Sequence, residues 1–124
     1  MAKKILIVDD EPSIIVPLQF LMEQNGYEVM VAFSGEEAME TIARTPPDLV
    51  LLDIMLPVID GFEVCQRVRE NMDWQHIPII LITALGSEIN VAKGLALGAN
   101  AYITKPFSNA DVVRKVKDLL SLKK

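Results

Sequence analysis

Short apolar runs alternate with amphipathic stretches five times along this chain. The runs cover residues 5–8, 29–32, 49–52, 79–82 and 101–103. The first, third and fourth are continuously aliphatic, as expected of parallel strands covered on both faces. The second and fifth are shorter or more mixed, which suits the edges of a sheet. Between the runs the apolar period changes to that of a helix. Ile14, Ile15, Leu18, Leu21 and Met22 share one helical stripe, and Val112, Val113, Val116, Leu119 and Leu120 share another. Three more helices are expected over residues 36–44, 62–72 and 87–97. Gly26, Gly35, Pro46-Pro47, Gly61, Pro78 and Gly98 punctuate the boundaries. Ser34 is placed to cap the second helix, and Ser108 or Asn109 the last.

This order is (βα)₅, an α/β doubly wound parallel five-stranded sheet with helices on both faces. Right-handed crossovers and the chain length favour the flavodoxin-like strand order 2-1-3-4-5. One local conflict stands out. Pro12 suits a helix start, but Pro17 lies a turn further in, where it removes a backbone donor at a cost of about 3 kcal/mol. A kink or a late helix start is expected there. Val16 and Phe20 fall off the core stripe, one turn apart, as either scattered surface apolars or a docking patch.

Size and charge narrow the function. With 124 residues, 51% hydrophobic and 23% charged, residues 1–124 read as one globular domain. The net charge of −5 argues against direct nucleic-acid binding, which needs a basic face. The single cysteine, Cys65, excludes an internal disulfide framework and an all-cysteine metal site, and suits a reducing cytosol. No apolar run approaches the roughly 18 residues of a membrane span. Asp9-Asp10-Glu11 interrupts the first run too early for a signal peptide. A cytoplasmic location is expected.

The candidate chemistry lies where the strands end. The first run closes with Asp9-Asp10, the third with Asp53, the fourth with Thr83 and the fifth with Thr104-Lys105. In an open α/β sheet these carboxyl ends face a crevice at the topological switch point, here between the first and third strands. Three carboxylates converging there repel one another, and either Lys105 or a hard divalent cation would offset that. Any one aspartate could instead cap the helix that follows it. A carboxylate beside a metal suits nucleophilic attack on a phosphoryl group, since such transfers need mainly positioning and charge neutralisation. Thr83 could then bond to a phosphoryl oxygen.

At this point the sequence resembles a response-regulator receiver domain over nearly its whole length. The resemblance is carried by Ile7-Val8-Asp9-Asp10-Glu11, by Leu52-Asp53-Ile54-Met55-Leu56-Pro57 with Asp60-Gly61, by Thr83-Ala84, and by Gly98-Ala99 leading to Tyr102-Ile103-Thr104-Lys105-Pro106-Phe107. It implies that Asp53 accepts a phosphoryl group from a phosphohistidine on a sensor histidine kinase or phosphotransfer protein. It implies Mg²⁺, with Mn²⁺ a substitute, held by Asp10, Asp53 and the backbone carbonyl of Met55, and Asp9 acting through a metal-bound water. Lys105 would pair with the phosphoryl group, and its bond to Pro106 would be cis. Thr83 would move toward the phosphate and Tyr102 would rotate inward, reshaping the face of the fourth helix, fifth strand and fifth helix where partners bind. The domain would signal rather than act as an enzyme on a separate substrate, promoting its own phosphorylation and slow dephosphorylation.

The departures from the family pattern matter too. Relatives attached to winged-helix DNA-binding domains often carry acids where this chain has Ala96, Asn100 and Ala101, with only Lys93 and Lys115 keeping the basic side. A monomer is expected, with dimerisation on phosphorylation left open. Two positions that modulate dephosphorylation in the family are Met55 and Leu85, and neither can orient a hydrolytic water. The phosphoryl state is therefore expected to be long-lived. A pseudo-receiver scaffold would have lost an acid, the lysine or the nucleophile, and all are present. A haloacid-dehalogenase-like phosphatase needs Asp-x-Asp on its first strand and a cap. A flavodoxin needs hydroxyls and backbone donors in its first loop, where this chain has carboxylates.

Among the remaining residues, His76 is expected at the surface and Cys65 as a half-buried packing residue. Trp74 is expected to anchor the loop after the third helix. The chain closes on Leu122-Lys123-Lys124 with no output domain, so it is either a single-domain regulator or a receiver from a longer regulator or hybrid kinase. Lys123-Lys124 could open a linker to such a domain, and the downstream partner is either a protein target or that missing domain.

Overall fold

The computed structural model describes residues 2–121; the closing Leu122-Lys123-Lys124 lies outside them. Five strands, β1 (Lys4–Val8), β2 (Glu28–Ala32), β3 (Leu49–Leu52), β4 (Ile79–Thr83) and β5 (Ala101–Thr104), alternate with five helices. These are α1 (Pro12–Gln24), α2 (Gly35–Arg44), α3 (Gly61–Glu70), α4 (Glu88–Ala96) and α5 (Asn109–Ser121). The sheet is parallel throughout with order β2-β1-β3-β4-β5, the expected flavodoxin-like arrangement.

The alternation of side chains along each strand builds two cores. Leu6, Val8, Val50, Leu52, Ile79 and Leu81 face one side, against Ala38 and Ile42 of α2 and Phe62, Val64, Cys65 and Val68 of α3. Ile5, Ile7, Leu49, Leu51, Ile80 and Ile82 face the other, against Ile15, Leu18 and Met22 of α1 and Val112, Val116 and Leu120 of α5. Each such burial contributes about 1.5–3 kcal/mol relative to exposure, so β1, β3 and β4 are apolar apart from Lys4 at the start of β1 and Thr83 at the end of β4. Outer strands β2 and β5 are only partly covered, which accounts for their more mixed sequences.

Helix ends follow local chemistry. Ser34 Oγ accepts the Glu37 amide at 3.1 Å and Glu37 Oε1 accepts the Phe33 amide at 2.6 Å, closing the start of α2. Ser108 Oγ accepts from the Asp111 amide, so Ser108 rather than Asn109 caps α5. Ser87 caps α4 through the Asn90 amide.

Three expectations need correction. α1 does not start late: Pro12 occupies its first turn and the helix runs continuously through Pro17. Pro17 lies on the exposed side, as does Ser13, the residue whose carbonyl loses its helical donor to the proline ring. α3 ends at Glu70 rather than at residue 72, because Asn71 Oδ1 accepts the Asp73 amide at 2.8 Å and turns the chain. Cys65 is fully rather than half buried, with its Sγ 3.6 Å from the Leu97 carbonyl. His76 is exposed, and Trp74 packs partly buried against the α2–α3 core. Val16 and Phe20, 64% and 62% exposed, stand on the outer side of α1.

Candidate functional site

Parallel topology puts the carboxyl ends of all five strands on one edge, and backbone bonds continue just past the strands there. The Asp9 amide donates to Ala32, the Asp53 amide to Val8 and the Lys105 amide to Thr83, at 3.1, 2.9 and 2.8 Å. Each functional side chain therefore starts from a fixed backbone. Asp9 and Asp53 are almost completely buried, at 3% and 4% exposure, while Asp10 and Glu11 reach solvent. Oxygens of all four carboxylates lie within 4.8 Å of one another.

One ammonium answers this cluster. Lys105 Nζ is 3.0 Å from Asp9 Oδ2, 3.2 Å from Glu11 Oε1 and 3.4 Å from Asp53 Oδ2. Burial works against its charge, but the bond to Asp9 and the field of Asp53 win, and its pKa rises above the ordinary lysine value. Burial raises the Asp9 carboxyl pKa, although its bonds from the Glu11 amide and Lys105 pull the other way. The second oxygen of Asp53 accepts the Met55 amide at 3.2 Å. Asp53 is thus oriented on one side by backbone and on the other by Lys105, and it opens into a cleft of about 410 Å³. That cleft is lined by Asp10, Glu11, Asp53, Met55, Ala84 and Lys105.

The remaining expected residues sit around this centre. Thr83 is fully buried at the end of β4, and its Oγ1 accepts the Leu85 amide at 3.4 Å; its neighbour Ala84 forms the cleft wall. Tyr102 is half-buried, and its hydroxyl donates to the Leu85 carbonyl. Burial and the charge of Asp53 raise the Tyr102 pKa, so the phenol stays a donor. Met55 is 55% exposed at the rim, and Leu85 packs against the core. The Lys105–Pro106 peptide is cis.

Two participants were not singled out from sequence. Glu11 joins the carboxylate group and shares Lys105; the only signal was its place directly after Asp9-Asp10. Gly61 passes under the backbone of Asp53, and a Cβ there would lie 2.2 Å from the Asp53 carbonyl oxygen. In the sequence it had stood only as a helix boundary and as part of the Asp60-Gly61 motif, with no role at the site.

The donor set is entirely hard oxygen, from the carboxylates of Asp9, Asp10, Glu11 and Asp53, on a cleft roomy enough for water. Such a set fits Mg²⁺, which keeps several waters and takes few carboxylates.

The sequence profile of the response regulator receiver domain matches residues 5–117. The chain belongs to the response regulator receiver domain family. This receiver is 47% identical over 120 residues to the alkaline phosphatase synthesis transcriptional regulatory protein PhoP of Bacillus subtilis (strain 168). The match covers 97% of the receiver and 49% of PhoP, so the chain spans about half the length of that relative. Among solved structures, the Francisella response regulator 1452 receiver domain superposes with a TM-score of 0.92 at 33% identity, over 98% of this chain and 99% of that one. The BeF3-activated N-terminal receiver domain of Klebsiella pneumoniae RstA gives a TM-score of 0.88 at 38% identity, over 94% and 97%. Among the described residues no helix is long and apolar enough to cross a membrane.

Proposed function

We propose that Asp53 is the phosphoacceptor of this receiver and that the donor is a phosphohistidine on a sensor histidine kinase or a histidine phosphotransfer protein. The observation that carries this is the placement of Asp53: nearly buried, its oxygens fixed by the Met55 amide and Lys105, and open only toward the acidic cleft. An Asp53 oxygen attacks phosphorus, a new P–O bond forms and the P–N bond to imidazole breaks, its electron pair leaving with the nitrogen. With the other ring nitrogen of the phosphohistidine protonated before transfer, the products are an acyl phosphate and a neutral imidazole on the donor.

Asp10, Asp53 and the Met55 carbonyl are the groups that hold Mg²⁺ in this reading, with Asp9 acting through water and Mn²⁺ as a substitute. The ion supplies neutralisation of charge on the transferring oxygens. Lys105 lies 3.4 Å from Asp53 Oδ2 and exchanges one of its three carboxylate partners for a phosphoryl oxygen. Thr83 turns its hydroxyl from the Leu85 amide to the phosphoryl group. The Leu85 carbonyl, which holds Tyr102, shifts with it, and the change reaches the face formed by α4, β5 and α5. Apolar Met55 and Leu85 flank the site without orienting a hydrolytic water, so the phosphoryl state is long-lived.

Residues 1–124 act as a single cytoplasmic receiver domain, monomeric before phosphorylation, whose changed face binds a downstream protein or an output domain. An output in transcriptional regulation is supported by the similarity to the transcriptional regulatory protein PhoP. The test is intact-protein mass after acetyl phosphate or phosphoramidate, with Mg²⁺ and then with excess EDTA. A Mg²⁺-dependent gain of one phosphoryl group, absent in Asp53→Asn, is expected. A folded sample that gains nothing under any condition refutes the reading and leaves a scaffold.

A further inference from the structure

The sheet edge opposite the cleft is organised around one side chain, Arg69, in the last turn of α3. Its Nε donates to the Gly98 carbonyl at 2.9 Å, and one terminal nitrogen donates to the carbonyls of Ile77 and Gln75 at 2.8 and 3.3 Å. The other terminal nitrogen donates to Asn100 Oδ1 at 2.8 Å, which also accepts the Ile79 amide at 2.9 Å. Gln75 returns a bond to the Arg69 carbonyl at 3.1 Å. A single guanidinium thus fastens α3 to the loop before β4, to the first residue of β4, and to the loop between α4 and β5. Its acceptors are neutral oxygens placed at fixed angles, which a planar fork of five N–H groups meets and an ammonium does not.

The consequence falls on α4. Only Gly94 of that helix is buried, and Ile89 and Leu95 are 81% and 46% exposed. Packing along its length therefore holds it lightly. Its two ends are held unequally. The N-terminal end follows residues 83–85, of which Ala84 lines the cleft. At the C-terminal end Cys65 Sγ contacts the Leu97 carbonyl, and Arg69 holds the Gly98 carbonyl. Gly98 has φ +108°, and a Cβ on it would lie 2.7 Å from Arg69 Cγ, so the loop is pressed against the arginine stem.

We propose that Arg69 is a positioning residue that makes the C-terminal end of α4 a fixed pivot. A displacement begun at residues 83–85 then turns the N-terminal part of α4 instead of sliding the whole helix. This rests on the reading of Asp53 as phosphoacceptor, and the test separates the two. Amide exchange is followed by mass spectrometry in the wild type, Arg69→Met and Arg69→Lys, each with and without Mg²⁺ and beryllofluoride. Amides of β1 report global opening. In Arg69→Met, residues 97–100 exchange at least about tenfold faster after correction for β1. The beryllofluoride response, confined to residues 84–92 in the wild type, spreads to 97–100. Arg69→Lys behaves like Arg69→Met, because one ammonium cannot serve the four acceptors. Both variants gain a phosphoryl group from acetyl phosphate as the wild type does.

Acceleration at 97–100 that merely matches β1, or a response pattern identical to wild type, overturns the pivot. So does loss of phosphorylation in a folded Arg69 variant. Should Arg69→Met fail to fold, Asn100→Ala removes one acceptor of the fork and is read by the same comparison. A wild type that never gains a phosphoryl group sinks the functional reading instead, and the exchange at 97–100 without beryllofluoride still decides the clamp.

Discussion

Replacing Gly61 with alanine tests how tightly the third helix is seated under the phosphoacceptor. The added Cβ would lie 2.2 Å from the Asp53 carbonyl oxygen, 2.6 Å from Ile54 Cα and 2.8 Å from the Asp53 carbonyl carbon. Favourable carbon contacts lie near 3.5–4.0 Å, so each of these is short by about 1 Å. All three are backbone atoms, and no rotamer change relieves them. Either α3 moves outward and loosens Phe62, Val64, Cys65 and Val68 in the core, or the Asp53–Ile54 peptide shifts. Overpacking of this kind costs about 1–3 kcal/mol, and contact with backbone places it at the upper end. The intrinsic preference of alanine over glycine returns at most about 1 kcal/mol, and less in a first turn. A net loss of about 2 kcal/mol lowers the urea midpoint by about 1 M for a slope near 2 kcal/mol/M. The struck carbonyl belongs to Asp53 itself, so phosphorylation by acetyl phosphate slows as well, by up to about 10²-fold for a 1 Å misplacement. Urea unfolding followed by circular dichroism, with the phosphorylation rate from intact mass, checks both effects. Stability within about 0.5 kcal/mol of wild type and an unchanged rate would refute the close approach.

Lys105→Met removes the cation that Asp9, Glu11 and Asp53 share, so Mg²⁺ binds about tenfold more tightly by calorimetric titration while phosphorylation slows. Weaker binding would mean that Lys105 organises the carboxylates rather than competing with the ion. Met55→Asn and Leu85→Gln place polar groups where none orients water, and the phosphoprotein half-life, read by intact mass after EDTA, shortens by about an order of magnitude. Equal decay in all three proteins would show that these positions do not govern lifetime. Ser34→Ala deletes the cap of α2 and lowers stability in urea by about 1 kcal/mol, leaving the extent of phosphorylation unchanged. A loss of phosphorylation there would tie α2 to the site in a way its hydrogen bonds do not indicate.

The strand order was legible from crossover handedness and chain length, and the acidic cleft for a further physical reason. In a parallel sheet every strand ends on the same edge, so polar residues that terminate apolar runs meet. Asp9, Asp10, Asp53 and Lys105 each follow such a run, and they converge. Thr83 follows one too, but full burial of β4 carries it below the lining, and Ala84 takes the wall. Periodicity also set the faces of α1 and α5 correctly. The late start expected from Pro17 is not found, because Pro12 already opens the helix and Pro17 sits on its exposed side. The end of α3 was misplaced because a side-chain bond from the Asp73 amide to Asn71, not a change of hydrophobic period, stops the helix.

The opposite edge of the sheet was opaque, and the contrast is instructive. At the cleft, charged side chains face one another, so residue types alone announce the chemistry. Around Arg69 nearly all the acceptors are backbone carbonyls, which every residue carries, so nothing in the types of Gln75, Ile77 or Gly98 announces them. Asn100 is the exception, and from sequence it stood out only as an acid missing from a family pattern. In the structure its amide oxygen joins Arg69 to the first residue of β4, a neutral bond where an aspartate would have brought a charge. One residue thus bears on two properties. Its neutral side chain stands where the resemblance to the winged-helix subgroup led to an expected acid, and its carbonyl completes the clamp at the far end of α4.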